Sequence, residues 1–237
     1  MLLYYIRHGE PIYNPDSLTP LGERQAEALA KRLSRYGLDK IYASTSTRAI
    51  MTARPTCETL GLEPELLAFA HEDLAWHDFS IPKEDGKGRT WISYYPKTKE
   101  LFNTKAIRDL GDRWYEHPDI REYHYENGIH RVYDATDAFL KTLGYEHLRY
   151  TGKYKVINGN DKRIALFAHA GFGEAFLSAL LDIPYPMFCT HFGLSHSGMT
   201  VIEFAEQNGY SIPKVRTLSS DSHLYHENVP STDSVPY

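Results

Sequence analysis

Three short apolar runs in this chain end in residues that can do chemistry. Residues 2–6 run into Arg7-His8-Gly9-Glu10, the run around Ile41-Tyr42-Ala43 leads to Arg48, and residues 163–168 run into His169-Ala170-Gly171. Two arginines and two histidines are thus delivered by three separate segments, each followed by helix-forming sequence. Helix N-termini add unbonded N–H groups and the positive end of the helix dipole, so a site built from these ends is cationic and suited to a phosphate group. An arginine fork matches phosphate oxygens through two parallel hydrogen bonds, and a neutral imidazole is a nucleophile. Arg7 and Arg48 disfavour the protonated form of His8 and so keep its lone pair available, whereas His169, in contact with a dianion, is expected to carry a proton.

Such residues converge only if the runs are strands of one sheet, because ligands of open α/β sheets bind beyond the carboxyl ends of the strands. The pattern supports this. Residues 2–6 are too short for a helix and end at Gly9 and Pro11, which reads as a buried strand. Thr19-Pro20 offers a cap hydroxyl followed by proline at the first helical position. Leu21, Ala26, Leu29, Ala30, Leu33 and Tyr36 then recur at helical spacing up to Gly37. A second strand falls at residues 39–44, and a helix capped by Ser46-Thr47 runs from about 48 to 60, with Pro55 predicted to kink it. After a long irregular stretch, a helix is expected over 130–143, a turn at 158–161, a strand over 163–168, a helix over 173–181 and a strand over 198–204. Strands alternating with helices predict a three-layer α/β sandwich with a mostly parallel central sheet, folded as a single domain over 1–237.

The irregular stretch, residues 77–129, is too long for a plain loop and reads as an inserted cap. Its basic residues, Lys83, Lys87 and Arg89 among them, could meet a second anionic group, but interspersed Glu and Asp favour a solvated mixed surface. Its many aromatics are read as core. Residues 219–237 are rich in Ser, Asp and Pro and are expected on the surface.

Composition narrows the function. The chain has 237 residues, 42% hydrophobic and 24% charged, with 26 Lys+Arg against 31 Asp+Glu for a net charge of −5. No global field draws it to nucleic acid or to an anionic membrane, so neither is an expected partner, and an anionic substrate must be held locally. Two distant cysteines, Cys57 and Cys189, argue against a disulfide framework and a cysteine zinc site, and fit a cytoplasmic location. The twelve histidines show no His-x-His or His-Glu-x-x-His spacing, and His191 and His196 stand five apart without a carboxylate between them, so neither a metal nor another cofactor is expected.

The chain resembles the histidine phosphatase superfamily, the phosphoglycerate mutase-like proteins. The resemblance rests on Arg7-His8-Gly9-Glu10, on Asn14, on Leu18-Thr19-Pro20-Leu21-Gly22-Glu23-Arg24-Gln25-Ala26, on Ser44-Thr45-Ser46-Thr47-Arg48-Ala49 with Thr52-Ala53, and on Phe167-Ala168-His169-Ala170-Gly171. It covers the first 60 residues and roughly 163–204. It implies that His8 is a nucleophile that becomes phosphohistidine, that Arg7, Arg48 and His169 hold the phosphoryl oxygens, and that Asn14 and the Ala170 N–H add hydrogen bonds. The substrate class implied is a small phosphorylated metabolite, hydrolysed by a metal-independent phosphomonoesterase. The chemistry is consistent with this: phosphate monoester hydrolysis needs accelerations of up to ~10²¹, and one general acid supplies only ~10²–10⁴. A covalent intermediate and fixed cations must supply the rest.

Two departures from the family pattern matter. The family generally carries its proton donor on a glutamate after the second helix, followed by a glycine-containing turn. Here Phe69-Ala70-His71-Glu72-Asp73-Leu74-Ala75-Trp76-His77-Asp78 has no such glycines. Glu72 is the first candidate for the acid, with Asp73 and Asp78 as rivals. Pro11 also stands where many members have Ser or Thr. The alternatives are a mutase-type phosphoryl transfer, disfavoured because the mutases' Phe-Thr-Gly-Trp stretch is missing, and a non-catalytic phospholigand-binding module on the same fold.

Overall fold

A computed structural model describes residues 1–233. In chain order its elements are β1 (Leu2–Arg7), β2 (Pro11–Tyr13), β3 (Asp16–Leu18), α1 (Pro20–Tyr36), β4 (Lys40–Ser44), α2 (Thr47–Leu60), β5 (Pro64–Leu67) and α3 (Glu72–Phe79). Then come β6 (Ser80–Pro82), β7 (Arg89–Trp91), α4 (Pro96–Phe102), α5 (Lys105–Leu110), α6 (Tyr125–Thr142), β8 (Tyr145–Leu148), β9 (Lys153–Val156), β10 (Arg163–Ala168) and α7 (Ala170–Leu181). The chain continues through α8 (Tyr185–His191), β11 (Met199–Glu203), β12 (Glu206–Gln207), β13 (Tyr210–Ser211), β14 (Lys214–Ser220) and α9 (Ser222–His226).

The central sheet has six strands in the order β14-β11-β1-β10-β4-β5. β1, β10, β4 and β5 pair in parallel, while β11 pairs antiparallel with both β1 and β14. The pleat sorts the side chains. Tyr4, Ile6, Ala165 and Phe167 pack with Leu29 and Leu33 of α1 and with Ala53 and Cys57 of α2 on one face. Leu3, Tyr5 and Leu166 pack under α6 and α7 on the other. Eleven of the twelve residues of α7 are buried, as expected of a helix apolar on all sides. The result is the three-layer α/β sandwich with a mostly parallel sheet.

Register sets the levels at which the strands end. Arg7 pairs with Ala168, and Phe167 pairs with Ala43, so His8, His169 and Ser44 emerge side by side at one edge of the sheet. The chain leaving β1 lies against the first turn of α1 so closely that a Cβ on Gly22 would come within 2.2 Å of the Glu10 carbonyl oxygen, and one on Gly9 within 2.6 Å of the Gly22 oxygen. Thr19 caps α1, its Oγ1 accepting from the Gly22 N–H at 3.0 Å. α2 runs unbroken through Pro55.

The stretch read as a cap holds the β6–β7 hairpin, α4, α5 and several 3-10 turns rather than loop. Part of it is core: Trp114 is buried, stacked on Tyr125 at 5.6 Å and on Tyr185 of α8 at 5.6 Å. α6 begins at Tyr125, five residues before the helical periodicity becomes visible, because Tyr125, Gly128 and Ile129 are buried against the cap side. α7 likewise begins at Ala170, directly after His169, rather than at Gly173.

The expected surface tail holds ordered structure yet stays mostly at the surface: of its described residues, 219–233, only His223 and Leu224 are buried. Ser219 and Ser220 close β14, and the chain at 230–233 returns to the carboxyl end of β1, where Gln25 Nε2 of α1 donates to the Pro230 carbonyl at 3.1 Å and the His196 N–H donates to the Thr232 carbonyl at 3.2 Å. The remainder of that stretch, 234–237, lies outside the described residues. Both cysteines are buried and free. Among the described residues no helix is long and apolar enough to cross a membrane.

Candidate active site

The strand ends meet in a cavity of about 740 Å³, lined by Arg7, His8, Arg48, Glu72 and Ala170 among others. His8 is held by its backbone from both sides: its N–H donates to the Ala168 carbonyl at 2.9 Å, and its carbonyl accepts from the Ser197 N–H at 3.0 Å. Its ring is fixed by a 2.7 Å contact between Nδ1 and the Gly9 carbonyl oxygen. A carbonyl only accepts, so Nδ1 carries the proton and Nε2 carries the lone pair. Burial, reinforced by Arg7 and then Arg48, pushes the His8 pKa well below the usual histidine range, so the ring is neutral.

Arg7 is 2% exposed, and its guanidinium is shared among several partners. Nη1 donates to the Leu194 carbonyl and lies 3.0 Å from Asp233 Oδ1, and Nη2 lies 2.7 Å from His196 Nε2. Burial, helped by Arg7, pulls His196 down to about 3. His196 is therefore neutral, its Nε2 accepts from Arg7, and its Nδ1 proton faces Thr232 Oγ1 at 2.9 Å. The imidazoles of His8 and His196 are 5.7 Å apart.

Arg48 enters from the first turn of α2. Asp16, in the β2–β3 hairpin, orients it: Oδ1 accepts from Arg48 Nη1 at 2.7 Å while Oδ2 accepts from the Thr47 N–H at 2.7 Å. The Tyr13 ring lies 5.5 Å from the guanidinium carbon.

His169 is fully buried, with its ring centroid 5.2 Å from that of His8. Its Nε2 lies 2.8 Å from Ser44 Oγ and 3.3 Å from Ser46 Oγ, and its Nδ1 has no hydrogen-bond partner. Burial first, then His8 and Arg48, hold its pKa well below the usual range. A buried imidazole among cations is neutral, so the proton expected on His169 in contact with a dianion must come with that dianion.

Glu72 stands at the start of α3 and reaches across to the start of α7. Its Oε1 accepts from the Gly171 N–H at 3.0 Å and its Oε2 from the Phe172 N–H at 2.9 Å. Burial raises its pKa against the pull of those two bonds and of the arginines. Its two rivals are placed differently. Asp73 lines the cavity but is largely exposed, with its backbone N–H donating to His71 Nδ1 at 3.2 Å. Asp78 is bound to Arg131 at 2.7 Å and does not line the cavity.

Among the residues expected at the site, Arg7, His8, Arg48, Glu72, His169 and Ala170 come together. Asn14 does not: the tight turn of the β2–β3 hairpin leaves it exposed and outside the cavity lining. Asp16, Ser44, His196 and Asp233 were not anticipated. Two of them carry a sequence signal without a role: Ser44 opens the motif that contains Arg48, and His196 stands out only as half of a metal pair with His191. Among the described residues no group of three or more His, Cys, Asp or Glu is placed to hold a metal ion.

The chain and its fold have known relatives. Phosphoserine phosphatase 1 of Hydrogenobacter thermophilus is 26% identical over 216 residues, spanning 86% of this chain and 87% of that protein. The fold is shared with a mutant phosphoserine phosphatase of Entamoeba histolytica crystallised with phosphoserine, at a TM-score of 0.59 and 21% identity over 94% of this chain and 98% of that one. It is shared also with a mycobacterial glucosyl-3-phosphoglycerate phosphatase, at a TM-score of 0.58 and 17% identity over 92% of this chain and 98% of that one. The sequence profile of the histidine phosphatase superfamily, branch 1, matches residues 3–214, and the chain belongs to that family.

Proposed function

We propose that the protein is a phosphomonoesterase that hydrolyses a small phosphorylated metabolite through a phosphohistidine at His8. The observation that carries this reading is the 2.7 Å contact from His8 Nδ1 to the Gly9 carbonyl, which leaves a neutral Nε2 lone pair in a cavity with two arginines. Nε2 attacks phosphorus, the P–O bond to the leaving group breaks, and Arg7, Arg48 and His169 hold the equatorial oxygens, with the Ala170 N–H at the start of α7 adding a further donor. Asn14 takes no part.

Glu72 supplies the proton to the leaving oxygen, and the same carboxylate then takes a proton from the water that cleaves the phosphohistidine. Its raised pKa suits the acid role, and its bonds to α7 fix its position. None of these steps calls on a metal ion. The phosphatase activity named for the relatives, phosphoserine phosphatase 1 above all, supports hydrolysis over transfer between carbons.

The test is phosphate release from a panel of phosphomonoesters with and without chelator, comparing the wild type with His8→Ala. Turnover that survives the chelator and vanishes in the variant is expected. Turnover restored only by added metal, or retained in His8→Ala, would contradict the proposal.

A further inference from the structure

The aromatic residues between Trp76 and Tyr125 divide into two sets. Phe102, Trp114 and Tyr125 are buried against one another and against Tyr185. Trp76, Trp91 and Tyr94 instead line the cavity that opens on Arg7 and His8, and Tyr13 faces it from the β2–β3 hairpin.

Contacts already described put them there. Trp76 is one helical turn beyond Glu72 on α3, and positions i and i+4 share a face, so the grip of Glu72 on α7 brings the indole to the same opening. Trp91 reaches the start of α7 because Gly171 has no side chain: a Cβ there would come within 2.3 Å of the Trp91 Cη2 atom. The two indoles meet edge to face, with centroids 4.9 Å apart and planes at 79°. An aromatic wall therefore stands beside Ala170, where the phosphoryl group is held.

The charges at the same cavity argue against a second anionic group on the substrate. Once a phosphate dianion has taken Arg7 and Arg48, the charged residues left in the lining are Lys83, Glu72 and Asp73, which leave no positive excess.

We propose that the leaving group of the substrate carries a planar aromatic or heteroaromatic ring, stacked against Trp76 and Trp91. The substrates are then ring-bearing phosphomonoesters rather than phosphorylated hydroxy acids or amino acids. This rests on the phosphomonoesterase reading above and adds the substrate class to it. Aromatic stacking together with burial of the ring is worth about tenfold or more in kcat/KM.

The experiment must separate ring recognition from leaving-group reactivity. Phenethyl phosphate and ethyl phosphate have closely matched leaving oxygens, and phosphoserine supplies the carboxylate-bearing comparison. kcat/KM for the three is measured on the wild type, Trp76→Ala and Trp76→Phe, and binding of phenethylphosphonate and ethylphosphonate, which cannot be hydrolysed, is followed calorimetrically. The expected result is a preference of about tenfold or more for phenethyl phosphate, expressed mainly in KM, which collapses in Trp76→Ala and persists in Trp76→Phe. The phosphonates follow the same order. Equal kcat/KM for the two alkyl esters, or phosphoserine ahead of both, overturns the ring site while hydrolysis stands. Tighter binding of the ring-bearing phosphonate with no turnover of any ester upholds the ring site and defeats the phosphatase reading. No turnover and no discrimination defeats both.

Discussion

Ser44 Oγ lies 2.8 Å from His169 Nε2, and this contact decides which nitrogen of His169 is left for a ligand. Ser44 Oγ also accepts from the Ser46 N–H at 3.4 Å, and with its own hydrogen on His169 Nε2 it would make that nitrogen the acceptor. In that arrangement Nε2 accepts, and Nδ1, which has no hydrogen-bond partner, carries the proton. In the proposed mechanism His169 then presents a donor to a phosphoryl oxygen while staying neutral. Removing the hydroxyl in Ser44→Ala frees the tautomer. A hydrogen bond of this kind contributes ~0.5–1.5 kcal/mol, so kcat/KM is expected to fall roughly 2- to 10-fold, with Ser44→Thr retaining more activity than Ser44→Ala. Steady-state kinetics on the two variants check this, and an unchanged Ser44→Ala removes Ser44 from the site.

In the proposed mechanism Glu72 joins two roles, acid and helix cap. Glu72→Ala is expected to lose about 10²–10⁴ in kcat on alkyl phosphates, where the leaving oxygen needs a proton, and much less on an aryl phosphate, where it does not. The same variant exposes the Gly171 and Phe172 N–H groups at the start of α7 and should lose on the order of 1 kcal/mol of stability. Equal activity losses on both substrate types would remove Glu72 as the acid while leaving the cap intact.

The pH profile follows from the two directions of shift. His8 is held neutral well below the usual histidine range, so kcat/KM should show no fall near pH 6.5 beyond that of the substrate's own second phosphate ionisation, at about pH 6. Glu72 is raised by burial and must hold a proton to act, so activity on an alkyl phosphate should decline as pH rises through its folded value. The optimum therefore lies on the acidic side, and an aryl phosphate should flatten the alkaline decline. An acidic limb from the enzyme itself at the ordinary histidine value, present with substrates of different phosphate pKa, would contradict the assignment of His8 as a buried neutral nucleophile.

Remote from the site, His147 offers a stability test. Its ring sits between Asp137 at 2.8 Å and Asp182 at 3.2 Å and stacks on Tyr154, centroids 4.3 Å apart. Burial lowers its pKa, but the two carboxylates outweigh that and raise it to about 9. A group raised on folding stabilises fully below its unfolded value near 6.5 and loses that stabilisation as pH climbs through the folded value. Urea unfolding should show stability declining between about pH 6.5 and 9 from this group, and His147→Asn should remove that part of the slope.

What the sequence discloses of this site is what lies beside a strand or helix in the chain itself. Arg7, His8 and His169 sit directly after short apolar runs, and Arg48 follows a cap, so their convergence is readable once the runs are taken as parallel strands. Asp16 and Asp233 are not readable, because each reaches its arginine through a turn or a returning segment whose path is set only by tertiary packing. Ser44 depends on the register of β4 against β10, and one residue of slip would turn it away from His169. Periodicity misses the first turn of α6 because Glu126-Asn127-Gly128 has loop composition, although Gly128 is needed where α6 crosses Asp78. The cap is the least legible part. Trp91 and Trp114 are the same residue type in the same irregular stretch, yet one lines the cavity and the other is core.

The central claim is a covalent phosphoryl group on His8, and rapid quench after mixing with a ³²P-labelled phosphomonoester tests it most directly. The account predicts an acid-labile, base-stable phosphoenzyme that forms and decays at rates compatible with turnover and is absent from His8→Ala. Phosphate release without such an intermediate, or label retained by the His8→Ala protein, would contradict it.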